Sequence, residues 1–354
     1  MVSLDALLKD ASSFITSEFG FDIEKSKLKP YSSKNWQKFC QKNNFDTNST
    51  GIYIPSSYSA YVRTKSPFLT PNIFHELYGH GLFVEHSQIG KKLTEIIQDS
   101  RDEKSFMFDE VNPEDQIFGI AKRNIHNYEG FAVWLEALLC ENTGNSKVWN
   151  AKKDGLREDY NSLFDFFKDA ESKLSRFGLI SQLGFPKYYD DDKVLDVVKK
   201  LYGSDFNNVD FVILYGSQKP ESDIDLCIVS NNPSNQYFNG WLDIAELNRE
   251  DFQNRMNNLD IALTDAMFSG RLVFGDENTF RKYKKNILEK PISQEMIVYN
   301  KKKSDLQKEY LSSYQDNSRM RKLCLSYKDS FSQNADQLIK GNKPLTLSKL
   351  KKIK

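Results

Sequence analysis

Histidine is scarce in this sequence, and its distribution limits where imidazole-based metal chemistry can occur. The chain has 354 residues but only four histidines, His75, His80, His86 and His126, all in its first third or just beyond. A metal site that uses imidazole must therefore lie in that part of the chain. The length itself is long for one compact domain and comfortable for two.

Cysteines are equally few and are widely spaced. Cys40, Cys140, Cys227 and Cys324 form no CxxC pair. Because Cys140 and Cys227 lie inside apolar runs, we expect small buried thiols in a reduced, cytoplasmic protein.

The sequence also lacks long hydrophobic runs. No stretch approaches the ~18 uncharged apolar residues that a membrane-spanning helix needs, so no membrane contact is expected. The N-terminal segment MVSLDALLKDASS mixes acidic and apolar residues and predicts an amphipathic helix rather than a signal peptide. Apolar residues make up only 39% of the chain, yet 25 Phe and 17 Tyr supply large side chains for cores.

A net charge of zero hides an uneven distribution of charge. Residues 296–354 contain 14 Lys and Arg against 5 Asp and Glu, which leaves 35 against 44 in the rest of the chain. Such a basic, helical tail can dock an acidic partner or nucleic acid, or it can be a solvated and partly disordered end.

Histidine and glutamate come together in the segment PNIFHELYGHGLF. Two imidazoles close together on a helix can face one Zn²⁺, and an adjacent glutamate can deprotonate the metal-bound water. The usual HExxH spacing is i, i+4, but here His75 and His80 are at i, i+5, because Gly79 is interposed. On a regular helix this spacing turns the second histidine about 140° away from the first. We therefore predict a one-residue π-bulge near Gly79, in the helix at residues 72–83.

The HELYGH form resembles the zinc peptidases of the dipeptidyl peptidase III family, whose motif is HExxGH. In that family a glutamate on a later helix is the third ligand, and here the segment NYEGFAVWLEALL supplies Glu129. The resemblance covers about residues 50–140 and implies a zincin-like metallopeptidase that acts on a peptide substrate. It implies Zn²⁺ held by His75, His80 and Glu129, with Glu76 as the general base. The family's larger architecture does not fit in this chain, so its dipeptide-releasing mode is not implied.

Other residues near this motif are also candidates for a role in the site. Glu136, two turns after Glu129 on the same helix face, is a candidate partner for a ligating histidine. His126, or more weakly Tyr128, could stabilise an oxyanion, or be an ordinary satisfied polar residue. Residues 51–63 predict one or two strands, which could pair with peptide substrate or be purely structural.

The second chemical signature is the segment FVILYGSQKPESDIDLCIVS. A strand leads into Gly216 and Ser217, and a short turn through Ser222 leads into the next strand. Because alternate residues of a strand face the same side, Asp223 and Asp225 form a pair of carboxylates. Mg²⁺ prefers such oxygen ligands together with nucleotide phosphates, and two metals can stabilise an in-line displacement at the α-phosphorus. Gly216 allows close approach of a phosphate, and Ser217 offers an N–H and a hydroxyl.

This pattern resembles the DNA polymerase β-like nucleotidyltransferases, which include the minimal nucleotidyltransferases and the aminoglycoside-type adenylyltransferases. Their pattern is hG[GS]…DhD, followed by a third carboxylate on a neighbouring strand. The resemblance covers about residues 192–290. It implies nucleotide binding at Gly216, Ser217 and Ser222, and Mg²⁺-dependent transfer of a nucleoside monophosphate from an NTP, expected to be ATP, to an acceptor.

Three acidic residues can supply the third catalytic carboxylate beside Asp223 and Asp225. Asp243 is favoured, because apolar residues flank it on a predicted strand. Asp260 is the rival, although we expect it inside a helix over residues 249–269, and Glu246 is an outsider. Three clustered carboxylates repel one another without a cation, so we expect raised carboxylate pKa values at this site.

The predicted fold class is α+β in both halves of the chain. Between the signatures, a helix over residues 155–180 is followed by a loop with Gly184, Pro186 and an acidic run, which predicts a domain boundary. Strands are predicted at residues 209–215, 224–229 and 239–247. The predicted domains are a mainly helical zincin-like domain at residues 1–185, a nucleotidyltransferase domain with a small mixed sheet at residues 186–295, and a basic helical tail at residues 296–354.

These signatures together predict a two-domain enzyme, with a zinc peptidase and a nucleotidyltransferase whose acceptor is a protein, a small molecule or RNA. Two alternatives stay open. One is an antitoxin-like nucleotidyltransferase that modifies a protein and has a non-catalytic domain that binds zinc or peptide. The other is a peptidase gated by a nucleotide-sensing domain. Intact catalytic residues in both signatures favour the two-activity hypothesis.

Overall fold

The chain divides into two units, Met1–Tyr189 and Asp190–Lys354, a few residues beyond the predicted boundary at residues 185 and 186. Both units are α+β, and helices predominate, as the sequence predicted. Within the described part of the chain, no helix combines the length and apolar character needed to cross a membrane. The structure is a computed structural model, and it describes residues 3–101, 124–231, 241–314 and 318–352.

The first unit packs helices against a small mixed sheet. Its helical segments are α1 (Leu4–Phe19), α2 (Ser33–Lys42), α3 (Leu69–Ile73), a π-helical segment (Phe74–His80), α4 (Gly81–His86), α5 (Gln88–Arg101), α6 (Ile125–Asn142), α7 (Ser146–Lys153) and α8 (Glu158–Gln182). Its strands are β1 (Lys27–Tyr31), β2 (Gly51–Ile54) and β3 (Ser59–Arg63). β3 is central, parallel to β1 and antiparallel to β2. β2 and β3 are the strands predicted within residues 51–63.

Helix α6 forms the centre of the first unit's core. Every residue from Gly130 to Cys140 is buried, as is typical of a helix that is apolar all round and surrounded by other elements. Phe131 and Trp134 pack in the same apolar cluster as residues of α1, the π-helical segment and α8. This packing fixes the positions of the two acidic residues Glu129 and Glu136 on α6, because Glu129 immediately precedes the buried stretch and Glu136 lies within it.

The second unit contains a mixed sheet with the strand order β6-β5-β4-β7. Its strands are β4 (Val209–Tyr215), β5 (Ile224–Ser230), β6 (Leu242–Leu247) and β7 (Arg271–Phe274). β5 and β6 are parallel, whereas β4 is antiparallel to both β5 and β7. Its α-helices are α9 (Asp191–Tyr202), α10 (Arg249–Asn257), α11 (Ile261–Ser269), α12 (Glu277–Glu289), α13 (Gln294–Ser313), α14 (Ser318–Ile339) and α15 (Leu347–Lys352).

The helix predicted over residues 249–269 was wrong, because the chain forms two helices there. Leu259 has a positive φ of 50°, which a helix interior does not accept. Asp260 then caps α11, and its side chain accepts hydrogen bonds from the backbone N–H groups of Ala262 and Leu263. An aspartate followed by an apolar run is a helix start signal, and this signal competes with the continuous helical pattern.

The basic C-terminal segment is an integral part of the second unit rather than a solvated tail. Phe331 and Leu338 of α14 and Leu350 of α15 are buried in the unit's apolar clusters. The buried amide of Asn334 donates hydrogen bonds to the Leu259 carbonyl at 2.9 Å and to Asn300 Oδ1 at 2.9 Å. Charge counting missed this packing, because the lysines of the segment occupy exposed faces while its apolar residues turn inward.

Two candidate metal centres

The HELYGH motif lies within a π-helical segment, Phe74–His80, which α3 and α4 continue on either side. The predicted bulge is therefore confirmed. The wider turn brings the rings of His75 and His80 to a centroid distance of 4.7 Å, with their planes at 90°. Both histidines are buried, so the distortion aims two imidazoles at one point inside the first unit.

Gly79 allows the π-helical segment to pack closely against α6. A Cβ atom at this position would lie 2.7 Å from the Cα atom of Ala132 and 2.7 Å from its Cβ atom. Such distances are far below van der Waals contact, and backbone atoms cannot move aside as a flexible side chain can. The absence of a side chain at Gly79 therefore sets the separation between the histidines and the helix that carries Glu129.

We predict that Gly79→Ala separates the two helices, destabilises the first unit by about 1–3 kcal/mol through overpacking and weakens zinc binding. Thermal unfolding and the zinc content of the purified protein measure these effects. Gly155→Ala is the matched control, because the nearest atom to its added Cβ is 3.6 Å away. Unchanged stability and zinc content in Gly79→Ala would contradict the account of this close contact.

Glu129 of α6 completes a cluster of three potential ligands. Its Oε2 atom lies 3.4 Å from His75 Nε2 and 3.7 Å from His80 Nε2, and one ligand atom from each residue lies within 4.8 Å of the others. Zinc bonds to nitrogen and oxygen are about 2.0–2.2 Å long, so tetrahedral ligand atoms lie about 3.3–3.5 Å apart. The spacing and the donor types therefore fit a zinc ion.

A buried carboxylate holds the far side of the His75 ring. Glu136 is fully buried, and its Oε2 atom lies 3.0 Å from His75 Nδ1. Lys152 of α7 donates a hydrogen bond from Nζ to the other oxygen of Glu136. A carboxylate that accepts the Nδ1 proton leaves Nε2 free to bind a metal. The sequence analysis proposed the contact of Glu136 with a histidine, but it missed Lys152.

The electrostatics of the cluster follow from burial and from the proximity of its members. Burial lowers the pKa of His80 to about 3, and the charge of His75 adds to this effect. Burial would also lower the pKa of His75, but Glu129 and Glu136 raise it to about 10. Burial opposes ionisation of Glu129, yet the two histidines lower its pKa to about 2. Zinc binding would therefore displace a proton from His75, since metal ligands must be deprotonated.

Glu76, the predicted general base, is buried beside the first residue of β2. A Cβ atom on Gly51 would lie 2.6 Å from both Cγ and Oε1 of Glu76, so the start of this edge strand contacts the carboxyl group. Burial is the main cause that raises the pKa of Glu76 to about 7; His75 opposes the shift, and Glu129 adds to it. A carboxyl group with a pKa near neutrality can both accept and return a proton.

Two further side chains contact the cluster, and a third lies nearby in the sequence. The Tyr160 hydroxyl of α8 donates a hydrogen bond to Glu129 Oε2 at 3.2 Å. Tyr128 stacks on the His80 ring with centroids 4.0 Å apart, and His126 is exposed at the start of α6. The oxyanion role suggested for His126 or Tyr128 stays a prediction. Sequence reasoning missed Tyr160, because no motif distinguishes it among 17 tyrosines.

The second unit brings its predicted carboxylates together at one end of β5 and β6. Asp225 lies on β5 and is paired in register with Asp243 on the parallel neighbour β6, while Asp223 directly precedes β5. One oxygen from each of the three side chains lies within 4.8 Å of the others. An all-oxygen cluster of acidic groups fits Mg²⁺, which prefers hard ligands and leaves positions for phosphate oxygens.

The turn between β4 and β5 approaches the same carboxylates. Gly216 has a φ of +72°, and a Cβ atom there would lie 2.0 Å from Asp225 Oδ2. A side chain at this position would therefore collide with the acidic cluster. Ser222 donates a hydrogen bond from its hydroxyl to Ser217 Oγ at 3.1 Å. Arg271 of β7 donates a hydrogen bond to Gln218 in this turn, a contact that the sequence analysis did not foresee.

The rival acidic residues have structural roles instead. Asp260 is fully buried, caps α11 and accepts a hydrogen bond from the Tyr299 hydroxyl at 2.9 Å. Glu246 lies three residues after Asp243 on β6, so strand alternation places it on the opposite face. Its carboxyl group interacts with Tyr202 of α9.

The expected carboxylate repulsion is confirmed at Asp225. Burial, together with the nearby charges of Asp223 and Asp243, raises the pKa of this carboxyl group to about 7. A raised pKa in the folded state means that the native protein holds a proton that the unfolded chain releases. Stability should therefore fall as the pH rises from 3.8, the ordinary value, to about 7.

We predict that Asp225→Asn unfolds at a higher temperature than wild type in EDTA at neutral pH, because it removes like-charge repulsion. In wild type, the Asp225 carboxyl group should lower stability as the pH rises from about 4 to about 7, and this contribution should be absent from the variant. Asp260→Ala should instead cost about 2 kcal/mol, through the lost cap and the lost hydrogen bond. Thermal unfolding across pH measures both, and destabilisation by Asp225→Asn in EDTA would contradict the repulsion argument.

Comparison with known proteins assigns this chain to no family. No protein-family model, no curated protein and no solved structure matches the chain. The functional argument therefore rests on the residues of the two clusters and on their surroundings.

Proposed function

We propose that the first unit is a zinc-dependent peptidase. The observation that carries the proposal is the π-helical segment, which directs His75 and His80 toward the same carboxylate oxygen of Glu129. A helix interior seldom carries such a distortion without a functional reason. Glu76, buried next to these ligands, is the remaining component that hydrolysis requires.

Several groups of the first unit would each have a separate role in peptide hydrolysis. When bound, zinc supplies a Lewis acid that polarises the scissile carbonyl and acidifies water. Glu76 accepts the proton of the attacking water on its carboxylate and then donates it to the leaving amide nitrogen. The Tyr160 hydroxyl, which donates to Glu129 at 3.2 Å, would turn from this carboxylate to the carbonyl oxygen as negative charge develops there. The edge strand β2 offers backbone groups to an extended peptide.

We predict that Lys152→Met weakens zinc affinity by about 10–100-fold, the usual effect of losing a residue that orients a metal ligand. The methionine keeps the apolar stem but no longer holds Glu136, so His75 is less well oriented. Competition with a chromophoric chelator measures the affinity. Lys153→Met is the matched control, because Lys153 contacts the exposed Asp165 and the Phe164 ring but not Glu136. Equal affinity in the two variants would show that Lys152 has no positioning role.

We propose that the second unit is a Mg²⁺-dependent nucleotidyltransferase. Three carboxylates within 4.8 Å of one another support the proposal, because a bound cation would relieve the repulsion between them. When bound, Mg²⁺ supplies positive charge that neutralises the triphosphate during displacement at the α-phosphorus. Ser217 and the Gly216 backbone would contact the phosphates, and Arg271, which pairs with Asp191 at 2.7 Å, lies at the same turn.

The nucleotide and the acceptor are assigned from the resemblance of the sequence to nucleotidyltransferases. ATP is the proposed nucleotide, and a protein, a small molecule or RNA is the acceptor. Exposed lysines on α15, Lys349, Lys351 and Lys352, are the proposed docking surface for an acidic partner. All four cysteines are free and buried, which agrees with the proposed reducing, cytoplasmic environment.

One experiment on the full chain tests zinc binding by the first unit and nucleotidyl transfer by the second. Purified protein is analysed for bound metal and then incubated with each of the four NTPs labelled at the α-phosphorus, with Mg²⁺ and a cell extract as the source of acceptor. The proposal expects zinc in the protein and transfer of label to an acceptor. If the protein contained no zinc and gave no labelled product under these conditions, the proposal would be refuted.

A further inference from the structure

A cavity opens beside the candidate zinc cluster, between the first turns of α6 and α8. Its volume is about 420 Å³, within the range of ligand sites in proteins. Glu129 and Tyr160, which belong to the cluster, also line the cavity. A peptide whose scissile bond lies at the cluster would therefore present a neighbouring side chain to this opening.

The walls of the cavity are mainly apolar. Ile125 at the start of α6 and Leu163 and Phe166 of α8 are the aliphatic and phenyl side chains of the lining, which also includes His126 and Ser162. Ile125 is 46% exposed and Phe166 is 64% exposed, although residues of this size are usually buried. Large apolar side chains left in contact with solvent beside a candidate catalytic cluster are typical of a surface that a ligand covers.

The charged residues of the cavity offer no net charge to a ligand. Arg157 and Asp159 form an ion pair with a distance of 2.7 Å between Nη2 and Oδ2. The Glu129 carboxylate is directed at the histidines and at Tyr160. A charged side chain would have to compete with the Arg157–Asp159 ion pair for a partner in this cavity, whereas an apolar one would gain contacts with three apolar side chains.

We propose that this cavity is the specificity pocket of the peptidase, and that it receives a large apolar side chain, such as phenylalanine or leucine, adjacent to the scissile bond. The assignment deepens the proposed peptidase function and rests on it. Ile125, Leu163 and Phe166 are thus specificity-determining residues, and the substrate class is peptides with a bulky apolar residue next to the cleaved bond.

The test uses full-length, zinc-loaded Glu76→Gln protein, so that binding is measured without turnover. The probes are capped alanine-based peptides in which a single phenylalanine moves one position at a time, together with the all-alanine parent. Calorimetry should find at least one phenylalanine peptide that binds about 10-fold or more tightly than the parent. Phe166→Ala and Ile125→Ala should each reduce this advantage, and both side chains are exposed enough to be truncated without loss of folding.

Leu4→Ala is the control, since Leu4 is also an exposed apolar residue of this unit but does not line the cavity. It should keep the full phenylalanine advantage. Equal binding of all the peptides, or an advantage that survives both cavity variants, would overturn the pocket assignment. If the advantage depends on the cavity residues but zinc-loaded wild type cleaves none of the peptides, the pocket stands and the proposed hydrolysis fails.

Discussion

Replacing Glu76 with glutamine should reduce peptide hydrolysis by about 10²–10⁴-fold, the usual contribution of a general base, while zinc stays bound. The amide has nearly the same shape as the carboxyl group, so it fits the same buried space beside Gly51. It cannot accept a proton from water, and it is not one of the proposed ligands. Peptide cleavage followed by mass spectrometry, together with the zinc content of the same preparation, measures both effects.

Glu141→Gln is the matched control for this prediction. Glu141 lies on α6 but is exposed, so the same chemical change should leave hydrolysis and zinc content as in wild type. Full activity in Glu76→Gln would show that another group acts as the base. Loss of zinc together with activity would show instead that Glu76 is needed to build the metal site.

The second large effect is expected at Asp225, where Asp225→Asn should reduce nucleotidyl transfer by on the order of 1,000-fold. The change removes a negative ligand from the centre of the carboxylate cluster, and metal ions at such sites contribute several kcal/mol to transition-state stabilisation. Zinc binding in the first unit should be unaffected. Transfer of α-labelled NTP and calorimetric titration with a non-hydrolysable NTP, with and without Mg²⁺, are the measurements.

Asp196→Asn provides the corresponding control, because Asp196 lies exposed on α9. It should bind the NTP analogue with Mg²⁺ as wild type does. Binding of the analogue with equal affinity in EDTA and in Mg²⁺ would contradict the metal assignment for Asp223, Asp225 and Asp243, even if transfer were lost in Asp225→Asn.

Local patterns predicted much of the candidate sites. The i, i+5 spacing of His75 and His80 was sufficient to predict the π-helical segment, because both imidazoles must reach one ion and a regular helix cannot direct them there. The two-residue alternation of strands placed Asp223 and Asp225 together. The parallel pairing of β5 and β6, which brings in Asp243, was anticipated only as a neighbouring strand.

Contacts between distant parts of the chain were not predictable in this way. Lys152 and Tyr160 reach the first cluster only because α7 and α8 pack beside α6, and neither residue belongs to a motif. The break at Asp260 depends on competition between a capping signal and a continuous helical pattern. The burial of Phe331 depends on a tertiary partner surface that charge counts do not describe.

The zinc content of purified protein tests the central claim most directly. We expect one zinc per chain in wild type and in Asp225→Asn, and almost none in His80→Ala or Glu129→Ala, with folding of each variant checked by circular dichroism. Wild-type protein that remains free of zinc after incubation with the metal, or a folded His80→Ala protein that retains one zinc per chain, would contradict the account.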